Sequence, residues 1–188
     1  MVQARTVEGK AISLGVTRNG RLAGMHLPIW YAAWEYECCG PSLEPGAELS
    51  VNLVLEGFTA EPADRGQPLG WRATASGAVE FVADLGRREP YPRADFGGIS
   101  SAVDGPVQTG RFQGTGLLWH RAHEDFGIGE PYRVVVRRLC CARQILRRTD
   151  PHTIEVTGHE RPTEISGADD CPPHADFVLM AEVVGHGR

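Results

Sequence analysis

Residues 47–58 alternate almost without a break: Leu49, Val51, Leu53 and Leu55 fall on one side, Ser50, Asn52 and Glu56 on the other, and Val54 alone is out of phase. A period of two predicts a half-buried strand, here opened by Pro45-Gly46 and closed by Gly57. The same alternation sets Val79, Phe81, Ala83 and Leu85 against Glu80 and Asp84. Residues 111–119 predict another strand, interrupted by Gly114 and Gly116, each a place for a bulge or a close backbone approach. Residues 132–140 are β-branched enough for a strand, whereas Leu139, Ala142, Ile145 and Leu146 also fit one face of a short helix. Short strands over 153–157 and 175–184 complete the set.

Turn chemistry separates these runs. Asn19-Gly20, inside residues 11–30, accepts the positive φ angles of a tight type I′ turn and predicts an N-terminal hairpin. Pro28 then bars a central strand without a bulge, since it cannot donate to a ladder. Residues 61–70 and 160–173 read as loops. Gly, Pro, Ser and Asp dominate residues 86–110, which read as one long loop, functional or mobile, most loop-like at Phe96-Gly97-Gly98-Ile99-Ser100-Ser101. With no long amphipathic helix and no strand–helix alternation, the chain predicts one all-β domain over residues 1–188. Its expected form is an antiparallel β-barrel or sandwich with long loops and little helix.

The most distinctive string is Trp30-Tyr31-Ala32-Ala33-Trp34-Glu35-Tyr36-Glu37-Cys38-Cys39-Gly40. In a strand, Trp30, Ala32, Trp34, Tyr36 and Cys38 share one face. Such an aromatic row reads as core packing, with a platform for a ligand or partner at Trp30 and Trp34 as the functional alternative. The Trp-x-x-x-Trp-x-x-x-Cys-Cys-Gly string, followed by Gly46 and the alternating strand, resembles a family of small high-GC bacterial proteins known only as a domain of unknown function. The resemblance covers residues 30–55 and, more weakly, 114–138. It departs from the family pattern at Pro41, where an acid is favoured, at Leu43, where an aromatic is, and at Ala47, where Asp is. It implies a shared fold and no catalytic assignment.

The 188 residues carry a net charge of −5 and are 41% hydrophobic, which fits one globular domain and counts against a nucleic-acid coat or a polybasic membrane anchor. Eighteen arginines against a single lysine, Lys10, read as the codon bias of a high-GC bacterial genome. The first ten residues lack an apolar segment after their charges, and every apolar run falls far short of the ~20 residues of a membrane span. A soluble, cytoplasmic protein is expected. Five cysteines, an odd number, are too few for a disulfide scaffold and are read as reduced thiols.

Candidate chemistry is sparse. His120 and His123, three residues apart beside Glu124 and Asp125, could converge in a turn as a two-His, one-carboxylate set for zinc or iron; a solvated polar turn is the simpler reading. Cys38 and Cys39, or these with Cys140 and Cys141, could add thiolates for zinc. Adjacent strand residues point to opposite faces, however, and one cysteine of each pair is more simply a small buried hydrophobe. Arg133, Arg137 and Arg138 begin a strip of six arginines with Arg143, Arg147 and Arg148. The strip could take a phosphate, an acidic partner or a nucleic acid, although the acidic chain makes nucleic acid the weaker expectation. Cross-strand pairing with Glu124, Asp125, Glu130 or Asp150 is the alternative. Cys171 with His174 could form a thiolate nucleophile and base, or a rigid turn between prolines. No nucleophile elbow, phosphate loop or dinucleotide fingerprint is present. The reading favours a non-enzymatic β-domain that binds a protein partner or small ligand, with a metal-dependent protein or hydrolase at His120 and His123 and an oligonucleotide-binding barrel as alternatives.

Overall fold

The structure, a computed structural model, describes residues 24–87, 91–121 and 131–186. Its elements in chain order are β1 (Met25–Tyr31), α1 (Ala33–Cys39), β2 (Glu48–Val51), β3 (Leu53–Pro62), β4 (Gly70–Ala73), β5 (Val79–Gly86), β6 (Arg93–Asp95) and β7 (Ser100–Val103). They continue with β8 (Gly110–His120), β9 (Tyr132–Arg148), β10 (Ile154–His159), β11 (Thr163–Ile165), a 3-10 turn (Ala168–Asp170) and β12 (Ala175–His186). The sheet closes into a barrel: β9 pairs with β12, β12 with β1, β1 with β8, and β8 with β3, while β2 returns to β9. A second circuit shares β3 and β8 and closes through β7, β6 and β5.

The alternating run of residues 47–58 is the hinge between these circuits. Leu49, Val51, Leu53 and Leu55 all enter the main core. Val54, the residue out of phase, is buried on the reverse face against Ala102. At Asn52 the chain leaves β9 for β8, and the ladder is replaced by two local bonds. The Asn52 N–H donates to His120 Nδ1 at 3.1 Å, and the Arg121 N–H donates to the Asn52 carbonyl at 3.2 Å. The Tyr132 hydroxyl, at the start of β9, accepts the Ser100 N–H at 2.8 Å and ties the first circuit to β7.

Four expectations need correction. The string from Trp30 to Cys38 is not one strand: β1 stops at Tyr31 and residues 33–39 are helical. The helix starts because the Asp176 carboxylate, supplied by β12, accepts the Ala33 N–H at 3.1 Å, satisfying an amide that a helix start leaves without an internal partner. It stops at Gly40, where a Cβ would lie 2.6 Å from the Tyr36 Cα. Ala33 and Tyr36 therefore pack inward at helical spacing, while Trp34 is 55% exposed.

The second correction concerns residues 86–110, which hold β6 and β7 instead of one long loop. Gly97 and Gly98 turn the chain so that Phe96 N–H donates to the Ile99 carbonyl at 2.9 Å, and both Phe96 and Ile99 are buried. The glycines marked a turn, and the apolar residues on either side of it supplied the burial that orders the segment. Third, the expected loop over 160–173 contains β11, paired with β9. Residues 11–23, with Asn19-Gly20, lie outside the described residues; the second part of the expected hairpin is β1. There β1 runs through Pro28 in unbroken register with β12 and lies between β12 and β8, which meets it in ladder pairing at Trp30, so the expectation that Pro28 bars a central strand without a bulge is the fourth to be corrected. No helix among the described residues is long and apolar enough to cross a membrane.

Candidate functional site

Strands β3, β8, β5 and β4 lie side by side, and their registers align into three rungs. These are Thr59–Thr115–Glu80–Arg72, then Ala60–Gly114–Phe81–Trp71, then Glu61–Gln113–Val82–Gly70. Residues two apart on a strand share a face, so the first and third rungs stand outward and the middle rung turns to the interior. Phe81 is buried and meets Phe96 edge-on at 5.7 Å. The middle rung is small at Ala60 and Gly114. A Cβ on Gly114 would lie 2.0 Å from the Thr59 carbonyl oxygen, so β3 and β8 approach here more closely than a side chain permits. The two glycines flagged in β8 thus mark close approach, Gly116 against Phe58 as well as Gly114.

The outcome is a trough of about 730 Å³ lined by these three rungs and by Gln67, within the roughly 300–1,000 Å³ of small-molecule sites. Its polar groups are already oriented. Gln67 Nε2 donates to Gln113 Oε1 at 3.2 Å, and Gln113 Nε2 donates to Glu61 Oε1 at 2.8 Å. The Thr59 and Thr115 hydroxyls bond at 3.2 Å, and Arg72 pairs with Glu80. Arg111 fixes the loop that carries Gln67, donating to the Arg65 and Gln67 carbonyls at 2.6 and 2.8 Å while its Nε and Nη2 bind the Asp84 carboxylate at 2.8 Å. That hydrogen-bonded guanidinium holds the Asp84 carboxyl below the ordinary carboxylate range. Glu61 and Glu80 against Arg72 leave the trough with a net charge of −1.

Sequence reasoning missed this site because the rungs join residues from four separate stretches, and only register across strands assembles them. The signal that existed was the outward set of the alternation, Glu80 and Val82, and the two glycines of β8.

The residues singled out from the sequence fall elsewhere. Arg133, Arg137 and Arg138 are exposed on β9 and paired with Glu48 at 3.2 Å, Glu182 at 2.7 Å and Glu164 at 3.5 Å. Pairing with acids on neighbouring strands was the expected alternative, but the acids are these and not Asp150; Glu124, Asp125 and Glu130 lie outside the described residues. Trp30 and Trp34 are not neighbours on one face: Trp30 is buried in β1 and Trp34 is exposed on α1. His120 is buried with its Nδ1 accepting the Asn52 amide and its ring 5.0 Å from that of Tyr31. His123, Glu124 and Asp125 lie outside the described residues, as does the Cys39 side chain, and Cys38 is on the exposed side of α1. Among the described residues, no three His, Cys, Asp or Glu side chains converge on a metal position. Cys140 and Cys141 are both buried. Burial pushes the Cys171 thiol, next to that of Cys141, up to about 12, which opposes a thiolate nucleophile there.

A buried polar cluster was also missed. Asp176 accepts from His159 Nε2 at 2.8 Å, Gln144 Nε2 at 3.0 Å and the Ala33 amide. Burial alone would raise its carboxyl, but these donors outweigh that and hold it below the ordinary range. The His159 ring lies 4.6 Å from Trp30, whose Nε1 donates to the Gly77 carbonyl at 2.8 Å, and 5.9 Å from Trp119. The cluster locks α1, β10 and the β4–β5 turn onto the outer side of the barrel. No protein-family model, curated protein or solved structure matches the chain.

Proposed function

We propose that the protein is a non-enzymatic β-barrel binding module whose ligand is a small, neutral, polyhydroxylated molecule lying along the trough of β3, β8, β5 and β4. The observation that carries this reading is the alignment of Thr59, Thr115, Glu80 and Arg72 in one outward rung and Glu61 and Gln113 in another, with Gln67 above. Strands lie about 4.8 Å apart, so the two rungs offer closely spaced donors and acceptors suited to several hydroxyl groups at once, while Val82, outward in the third rung, gives an apolar patch for C–H surface. The residual negative charge disfavours phosphate. The free thiols of Cys38, Cys140, Cys141 and Cys171 support a reducing, cytoplasmic setting.

Calorimetric titration with a panel of neutral disaccharides, maltose and cellobiose among them, tests the reading. At least one should bind, and Gln113→Ala should weaken it about 10-fold, the loss of one or two hydrogen bonds, with the melting temperature of the free protein unchanged. A panel that gives no heat, or binding indifferent to Gln113→Ala, contradicts it.

A further inference from the structure

In the third rung of the trough the direction of the hydrogen-bond chain is set by its end. An ionised carboxylate only accepts, so Gln113 turns its Nε2 toward Glu61, at 2.8 Å, and its Oε1 toward the Gln67 amide, at 3.2 Å. Glu61 Oε1 is thereby occupied. Glu61 Oε2 has no partner among the described residues, and no arginine there pairs with this carboxylate, since Arg72 is taken by Glu80. The chain of bonds therefore ends in a charged acceptor with one oxygen open.

The other side of the same rung is apolar. Val82 stands outward and half-buried two strands from Glu61, and its neighbour on β4 is Gly70, which has no side chain to cover it. The first rung, roughly 7 Å away along the strands, supplies a donor. The Thr59 and Thr115 hydroxyls share one bond at 3.2 Å, which uses one of their two protons and leaves the other to donate outward.

A sugar hydroxyl can fill the open acceptor, but it leaves Val82 bare. A planar trans amide carries its N–H and its methyl on one edge and its carbonyl on the opposite edge. The trough presents the same division, with an acceptor and an apolar patch in the third rung and a donor in the first.

We propose that the ligand of the trough is an N-acetylated amino sugar, its acetamido N–H on Glu61 Oε2, its methyl against Val82 and its carbonyl toward the Thr59–Thr115 pair. The inference rests on the reading of the trough as a site for neutral sugars and names the substituent that sets its ligand apart. A hydrogen bond to a carboxylate is roughly twice as strong as one between neutral groups, so Glu61 dominates the preference.

Calorimetric titration with three disaccharides of one β-1,4 backbone tests it: cellobiose, with a 2-hydroxyl; the glucosamine disaccharide, with a 2-ammonium; and N,N′-diacetylchitobiose, with a 2-acetamido group. The diacetyl form should bind at least ~10-fold more tightly than cellobiose, and more tightly than the amine form. Glu61→Gln sets an amide N–H₂ against the acetamido N–H, and Val82→Thr puts a hydroxyl where the methyl rests; each should reduce the preference over cellobiose to ~3-fold or less. The preference is a ratio within one protein, so a loss of stability in a variant does not imitate it. Cellobiose binding as tightly as the diacetyl form, tighter binding of the amine form, or a preference that either substitution leaves intact would overturn the acetamido assignment while the trough stands. Silence of the diacetyl form while other neutral sugars bind would do the same, whereas silence of every sugar would remove the trough reading and this inference together.

Discussion

Asp176 shows how much one side chain can hold. It is 4% exposed, it caps α1 through Ala33, and it orients His159 between two indoles. Asp176→Asn removes the charge from all three hydrogen bonds and sets an amide N–H₂ among donors. The variant should lose about 2–4 kcal/mol at neutral pH in denaturant titration. The pH dependence follows from the direction of the shift. A carboxyl whose folded value lies below its unfolded one, near 3.9, contributes stability that is complete above the unfolded value and disappears as pH falls through the folded one. Wild-type stability should therefore fall on acidification through that window, and Asp176→Asn should flatten this limb. Identical acid limbs for the two proteins would show that Asp176 is not held as described. None of this was legible in the sequence, where Asp176 and His159 stand in separate runs with no shared motif.

At the scale of the element, periodicity was a reliable guide wherever one neighbouring sheet face decided burial. The run from Leu49 to Leu55 and the set Val79, Phe81, Ala83 and Leu85 entered the core as their alternation implied. It misled at Trp34, because the aromatic row of residues 30–38 fits a strand on paper while a carboxylate from β12, more than a hundred residues away, caps a helix there. It also misled at residues 96–99, where two glycines suggested irregular chain and Phe96 and Ile99 in fact anchor a hairpin. The glycines of β8 were informative in kind but not in consequence: close approach was readable, the trough it shapes was not. Gly114→Ala should cost roughly 1–3 kcal/mol, as overpacking does, since its Cβ must displace the Thr59 carbonyl. Gly66→Ala, which meets nothing within 4 Å, should change stability by less than about 0.5 kcal/mol. Equal thermal shifts for the two variants would deny the close approach of β3 and β8.

The whole molecule is a closed barrel with a second circuit of strands sharing β3 and β8; within the outer face of β3, β8, β5 and β4 the two middle strands, β8 and β5, are paired on both sides, and the Arg111 clasp ties in the loop that carries Gln67. Rigid strands that present polar side chains outward suit recognition without a large rearrangement. The central claim is that this face, and not the arginine strip of β9, is where a small ligand is held. Amide chemical-shift mapping of the isotope-labelled protein during titration with the disaccharide that binds best tests it most directly. The account predicts shifts centred on Gln67, Trp71, Glu80, Gln113 and Thr115, with Arg133, Arg137 and Arg138 unmoved; shifts centred on those arginines, or on His120, with the trough silent, would contradict it.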